Sequence, residues 1–423
     1  ASAGMYEEAT QLLSFVAEGN EATYPMVYYA LGYFASKMGK KDEALNLYKK
    51  AETMCPDYCF PNKLEEVLML NDAMSLNPEG AKAPYYLGNF HYAARIYDEA
   101  IACWEKSASI DDTYPTVLRN LSLAYYNKQH NPQKALATLE KAYNLDTTDA
   151  RILMELDQLY KKLRYPHRQR LDFLEAHADV VEQRDDLCIE RITLYNQLGE
   201  YQKAYDLINS RKFHPWEGGE GKVTSQYLLC RVELAKIAIR EGRFADAVRL
   251  LKETEKYPDN LGEGKLSMAE ENDIHYWMGC AYEGLGEEAL AKEYFTKATK
   301  GSAEPAIAFF YNDQQPDKIF YQGLAWRKLG EEDKARSRFN RLIKHGEKHL
   351  FDKVKIDYFA VSLPDLLIWD DDLNVRNQIH CNLVMGMGYL GLGDKEQARK
   401  FLSEVARLDI NHQAGKQLLE MCG

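Results

Sequence analysis

One pattern returns along this chain and limits what it can fold into. An aromatic or aliphatic residue is followed three positions on by Leu-Gly or an equivalent, then by Gly-x-x-x-x-Ala, a bulky residue and Ala. The clearest copy reads Tyr28, Leu31, Gly32, Gly39, Ala44, Tyr48, Ala51 and Pro56. Others read Leu87, Gly88, Ala100 and Trp104; His275, Met278, Gly279, Tyr282, Gly286, Ala291, Phe295 and Ala298; Gly323, Trp326, Gly330, Ala335 and Phe339; and Met385, Gly386, Tyr389, Gly393, Ala398 and Leu402. Fainter copies run from Leu118 to Ala142 and from Leu153 to Ala176, with two more anchored by Gly199 and Ala204 and by Gly242 and Ala247. The apolar positions have helical spacing and not period two. Small residues let two helices approach closely, and the bulky ones fill the gaps between them. Gly39 and Gly393 suit the left-handed turn that ends a helix, and Pro56 cannot continue one.

The pattern resembles the tetratricopeptide repeat, a pair of antiparallel helices about 34 residues long. The resemblance implies an all-α, right-handed superhelical solenoid of antiparallel helix pairs, with edge insertions in the C-terminal half. Because such units touch only their neighbours, one core can run through residues 1–423. The expected organisation is a partial repeat over 1–24, regular repeats over 25–211, repeats with long insertions over 212–412 and a closing helix over 413–423. Residues Pro61 to Pro78 read as a degenerate unit in which only the second helix, Leu64 to Leu76, is clear. Gly4, Tyr6, Ala9, Leu13 and Val16 match the turn and second helix of a repeat, so the chain reads as a piece of a longer protein.

Charge and composition narrow the function classes. The 53 Lys and Arg against 65 Asp and Glu give a net charge of −12, which disfavours nucleic acid as a partner because duplex binding needs a basic face. No apolar run approaches the length of about 18 residues that spans a bilayer, so no membrane partner is expected. The eight cysteines are scattered, with Cys55 and Cys59 the one close pair. That spacing predicts reduced thiols and a cytoplasmic compartment. The histidines are dispersed, and nothing forms a nucleophile elbow or a metal-binding helix pair. No enzyme activity, cofactor or metal is expected. His275 falls on a packing position, and His345 and His349, four apart, would share a helix face.

The repeat spacing lengthens toward the C-terminus. From Gly279 to Gly323 is 44 residues and from Gly323 to Gly386 is 63. The extra residues follow a second helix and precede the next first helix, and so emerge on one edge, where solenoids carry binding loops. Two insertions are alike: the run from His214 to Lys222 and the run from Tyr257 to Lys265 both end in Gly-Glu-Gly-Lys before a helix. Glycine amides beside Lys222 or Lys265 could form an anion nest; the blander account is a turn whose glycines serve backbone geometry. A third insertion, Gly301 to Asp317, holds Phe309, Phe310 and Tyr311. A fourth, Gly346 to Arg376, holds Tyr358 and Trp369 followed by Asp370, Asp371 and Asp372, an acidic run suited to a helix start. The edge candidates are His214, Trp216, Glu220, Lys222, Lys265, Tyr311 and Trp369, which could grip a sugar or anion or could plug gaps between lengthened hairpins.

The repeat resemblance also implies that first helices line a concave groove. Transferring the groove positions gives Tyr29, Tyr33 and Lys37, then Tyr85, Asn89 and Tyr92, then Arg119 and Asn127. This tyrosine- and amide-rich set with several cations suits an extended acidic or mixed peptide. Asn89 matches the family's clamp for a peptide carboxylate, but Tyr29 or Tyr85 stands where that clamp requires Lys. The leading expectation is a non-catalytic scaffold for a protein or peptide, or for an N-terminal domain of the same polypeptide. Separately, the runs Phe213 to Lys222, Tyr257 to Lys265 and Lys355 to Trp369 resemble the C-terminal repeat region of a large bacterial family. In that family a β-rich, sugar-enzyme-like domain precedes the repeats. This second resemblance implies an accessory region of a carbohydrate-binding or carbohydrate-active protein.

Overall fold

A computed structural model describes residues 3–19, 24–216, 218–306, 315–354 and 367–423. Among the described residues the regular structure is helical, with no strand. Contacts group the chain into two compact units, residues 1–156 and 157–423.

In the first unit, α1 (Tyr6–Gly19) packs on α2 (Pro25–Lys37), and α2 pairs with α3 (Lys41–Glu52). A single helix, α4 (Leu64–Leu76), precedes the hairpins α5 (Lys82–Ala93) with α6 (Tyr97–Ile110) and α7 (Pro115–Asn127) with α8 (Pro132–Leu145). The helix α9 (Ala150–Lys162) is divided between the units after Leu156. Proline occupies the first turn of α2, α7 and α8, where its missing N–H costs nothing. Asn131 caps α8 by accepting from the Lys134 amide at 3.1 Å. Within the hairpins, Gly32 lies directly under the Tyr48 ring and Gly88 under Trp104, with no room for a Cβ at either.

The helix expected from Leu64 to Leu76 is present with those bounds, but it has no hairpin partner: α4 packs on α2 and α5. Glu66 caps its start, accepting from the Asn62 and Lys63 amides at 2.7 and 2.8 Å. Asp72 ties it down by accepting from the Tyr48 hydroxyl at 2.6 Å and the Ser36 hydroxyl at 3.2 Å.

The second unit continues with α10 (His167–Ala176) and the single turn α11 (Ala178–Val181). Five hairpins follow: α12 (Asp185–Gln197) with α13 (Tyr201–Asn209), α14 (Lys222–Arg240) with α15 (Phe244–Lys252), α16 (Asn272–Gly284) with α17 (Glu288–Ala298), α18 (Pro316–Lys328) with α19 (Glu332–His349), and α20 (Leu373–Leu392) with α21 (Lys395–Leu408). The last helix, α22 (Gln413–Met421), packs on α21. One apolar cluster joins α14 through α18 by way of Ala235, Leu251, Met278 and Phe295. A second joins α18 through α22 by way of Phe320, Phe339, Val384, Leu402 and Leu418. Each Leu, Val, Met or Phe side chain among these, fully buried, contributes about 1.5–3 kcal/mol.

Part of the added length is helix and not loop. The first-unit helix α2 has 13 residues, whereas α14 has 19, α19 has 18 and α20 has 20. The insertion expected over Gly346 to Arg376 is therefore shorter, since Gly346 lies inside α19 and Arg376 inside α20, and the one expected up to Asp317 ends inside α18. Gly346 permits the longer contact: a Cβ there would stand 2.6 Å from the Cys381 carbonyl oxygen of α20.

Candidate functional site

In the first unit the groove candidates divide into two groups. Tyr33, Asn89, Tyr92 and Arg119 are half-buried on the first helices α2, α5 and α7, and Lys37 is exposed. The Lys37 ammonium stands 4.9 Å from the centre of the Tyr33 ring. Tyr92 packs against Tyr97 and Trp104 at 5.0 and 5.2 Å. The Asn89 amide oxygen accepts from Trp104 Nε1 at 3.1 Å and from Asn120 Nδ2 at 3.3 Å, which ties α5 to α7. Arg119 forks onto Glu155 at 2.6 and 2.5 Å, and Arg151 donates to the same carboxylate at 3.1 Å. Glu155 is wholly buried between these two guanidinium groups.

Tyr29, Tyr85 and Asn127 are corrected from groove to interior, at 0%, 5% and 9% exposure. For Tyr29 the reason is the Glu52 carboxylate at the end of α3. It accepts from the Tyr29 hydroxyl at 2.9 Å and from the Lys82 and Ala83 amides at the start of α5, at 2.9 and 3.3 Å. The start of α5 is thus drawn to the Tyr29 hydroxyl. Burial, and then Glu52, push that hydroxyl's pKa well above its usual value. Tyr85 is enclosed by Tyr86 and Tyr114, with ring centres at 5.2 and 5.1 Å.

The insertion candidates brace one another. Gly221, left-handed at φ 72° and N-cap of α14, donates its N–H to both oxygens of Glu263 at 3.1 and 3.0 Å. The anion position read from the sequence is therefore held by a carboxylate of the second insertion. Asn260 of that same insertion donates to the Ile208 and Arg211 carbonyls at 2.8 and 2.9 Å, and its own carbonyl accepts from the Phe213 amide at 2.7 Å. His214 pairs with Asp185 at 3.1 Å, and Lys265 with Glu271 at 2.5 Å. Trp216 is half-buried over Gly219, Glu220 is half-buried and Lys222 is exposed. Trp369 is 2% exposed, which corrects it from an edge candidate to a packing residue. Tyr311 and Tyr358 lie outside the described residues. Asp372 caps α20, accepting from the Asn374 and Val375 amides at 2.8 and 3.4 Å, so the acidic run is a helix start.

A face absent from the sequence analysis lies in the second unit, where α14, α16 and α18 stand side by side. Lys236 pairs with Glu233 at 2.6 Å on α14, and Lys318 of α18 pairs with Asp273 of α16 at 2.5 Å. Trp277 donates its Nε1–H to the Tyr321 hydroxyl at 3.3 Å, and the Lys236 ammonium lies 5.5 Å from the Trp277 ring. Burial opposes the charge on Lys318, but Asp273 and Asp317 outweigh it and hold the pKa above the usual lysine value. Burial, and then Asp273, raise the Tyr321 hydroxyl. The sequence signal was available: Trp277 and Tyr321 each stand two residues before a packing glycine, Gly279 and Gly323. Among the described residues, no group of three His, Cys, Asp or Glu could hold a metal ion, and no helix is long and apolar enough to cross a membrane.

Two family models, each described as tetratricopeptide repeat, match the chain, one over residues 27–58 and 273–300 and the other over 319–345. These spans fall on α2 with α3, α16 with α17, and α18 with α19. Among solved structures the chain is similar to YrrB, described as a TPR protein with an unusual peptide-binding site. That match has 16% identity and a TM-score of 0.30, covering 52% of this chain and 95% of that one. It is also similar to a MamA fragment from Desulfovibrio magneticus RS-1, at 18% identity and a TM-score of 0.27, covering 44% and 90%. The matched hairpins, with a glycine of each first helix seated under a large side chain of the second, identify residues 27–58, 273–300 and 319–345 as tetratricopeptide repeats in a chain whose described residues are helical.

Proposed function

We propose that the protein is a non-catalytic scaffold that holds an extended segment of another protein, or of another domain of the same polypeptide, along its first-helix faces. The observation that carries this is the face formed by Lys236, Asp273, Trp277, Lys318 and Tyr321 on three consecutive first helices, with Glu233 paired to Lys236 from the interior. Its charges are paired with each other, so a segment of mixed charge can exchange partners with them without leaving either sign unmatched. The two rings offer rigid contact area at a small entropic cost. A segment bearing both charges and an apolar or aromatic anchor fits that chemistry best. The eight free thiols accord with a reducing, cytoplasm-like compartment. The likeness of the insertion runs to the bacterial repeat region extends the proposal to a β-rich domain of the same polypeptide as the held partner. The test is selection of peptides from a displayed random library by the wild type and by a Trp277→Ala, Tyr321→Ala variant. Sequences enriched by the wild type should be lost by the variant at unchanged helicity. Equal enrichment by both would overturn the assignment of this face.

A further inference from the structure

The second unit contains a contact between segments far apart in sequence. The end of α21, the turn that follows and the start of α22 meet α9, α10, α12 and α14, at separations of 187 to 250 residues. Asn411 is at its centre. Its side-chain oxygen lies 3.2 Å from His167 Nε2 and accepts from Arg170 Nη1 at 3.3 Å, and its backbone carbonyl accepts from the Gln197 amide. The Gln413 and Gln226 amides pair with each other at 2.9 and 3.0 Å. Lys416 donates to the Gln197 carbonyl, and Arg164 to the Ala406 carbonyl at 3.4 Å.

Two different forces hold α22. Toward α21 it is anchored by burial, with Leu418 and Cys422 inside the apolar cluster of α18 through α22. Toward α9, α10, α12 and α14 the bonds come from amides, imidazole, ammonium and guanidinium groups. Such bonds exchange for bonds to water at a small net cost, whereas burial of Leu418 does not. The seam is also imperfectly satisfied. The side-chain oxygens of Asn196 and Gln197 are buried without a hydrogen-bond partner, and both residues line a small cavity with Gln413 and Lys416. An interface that is polar, incompletely paired and backed by an independently anchored helix can separate while each helix stays folded.

We propose that residues 409–417 form a latch that closes the second unit and opens reversibly. Opening frees Gln197, Gln226 and the side of Arg170 that Asn411 covers. As a control on access to the first-helix face, the latch rests on the scaffold function proposed above; as a structural device it does not.

Lysine crosslinking of the full chain, read by mass spectrometry, tests the latch without any partner. The Lys161 carbonyl accepts from Asn411 and the Lys416 ammonium donates to the Gln197 carbonyl, so the two lysines flank the seam from opposite sides and should crosslink in the wild type. Asn411→Ala with Gln413→Ala removes the side-chain bonds to His167, Arg170 and Gln226 and should lower that yield severalfold, since several bonds lost together shift the closure equilibrium by more than a decade. The crosslink between Lys252 and Lys297, both near Tyr294 and away from the seam, should be unchanged, as should the circular dichroism. Gln226→Ala, on the opposite side, should act in the same direction. A Lys161–Lys416 yield that stays at the wild-type level, or that falls only together with helicity and the control crosslink, would overturn the latch. Peptides retained by the Trp277→Ala, Tyr321→Ala variant would overturn the proposed face and leave the latch standing.

Discussion

Five glycines each stand sixteen residues before the side chain that covers them: Gly32 and Tyr48, Gly88 and Trp104, Gly279 and Phe295, Gly323 and Phe339, Gly386 and Leu402. The offset is fixed by the hairpin, which brings those two positions face to face each time. A Cβ on Gly279 would lie 2.6 Å from the Phe295 ring. Gly279→Leu should therefore cost about 1–3 kcal/mol from overpacking, read as a lower denaturant midpoint at constant slope. Adding Phe295→Ala should return part of the loss, and an unmoved midpoint in the single variant would contradict the packing. A different kind of residue dependence holds at Arg170, which is 1% exposed. It donates to Asp157 at 3.0 and 2.7 Å and to Glu190 at 2.7 Å. Arg170→Met should cost about 3–5 kcal/mol, because Asp157 would be left charged and unpaired in the interior. Asp157→Leu in the same chain should recover much of it. If Arg170→Met alone unfolds at the wild-type midpoint, the buried pair is not what holds α9 to α10.

At the scale of elements, α19 and α20 give a pH dependence with a definite sign. The His380 ring lies between them and is 2.8 Å from the Ala306 carbonyl. Burial is the largest influence on it; the carbonyl opposes that influence, and His345 and His412 add to it, so the pKa falls from 6.5 to about 4. The folded chain keeps the ring neutral while the unfolded chain protonates near 6.5. Stability is thus complete above that pH and is lost as pH falls toward 4, by about 3 kcal/mol over the window. Between pH 7 and pH 5 the wild type should lose about 2 kcal/mol more than a His380→Gln variant, as read from urea midpoints. Parallel loss in the two chains would remove His380 as the cause.

The same elements show what the sequence could and could not convey. Helix periodicity placed a last helix over 413–423, and the helix observed is Gln413–Met421, because a helix start is set by local residues. Asp372 was legible as a helix start for the same reason. The burial of Tyr29 was not, because it depends on Glu52, whose two roles join α3 to α5 across a separation of 30 residues. The likeness of the two Gly-Glu-Gly-Lys runs was visible. That Glu263 of one would cap the helix after the other was not, since a spacing of 42 residues carries no contact information by itself. The first-helix face of the second unit was missed because the groove positions were transferred only through the early repeats.

At the scale of the whole molecule, face and edge make opposite demands on stability and binding. Trp369 is buried, and Trp216 lies over the Gly219 turn that precedes α14. Both side chains are spent on packing, so Trp369→Ala should cost about 3–5 kcal/mol and Trp216→Ala less, with a lower melting temperature as the visible result. Trp277 and Tyr321 are half-buried, with contacts to each other and to Tyr276, at the margins of the two apolar clusters. Removing them should cost much less in the melt but about 2 kcal/mol each in binding, a loss of up to a thousandfold for the pair. Tyr33→Ala with Tyr92→Ala supplies the matching test in the first unit, where the rings sit beside Lys37 and Trp104. The expected outcome is a crossed pattern: edge variants melt early yet, below their melting point, bind a selected peptide as the wild type does. Face variants melt nearly normally and do not bind. Both face variants binding normally while an edge variant loses the peptide at full helicity would move the site to the insertions, and the Glu263 carboxylate on Gly221 would then have to be displaced by the ligand.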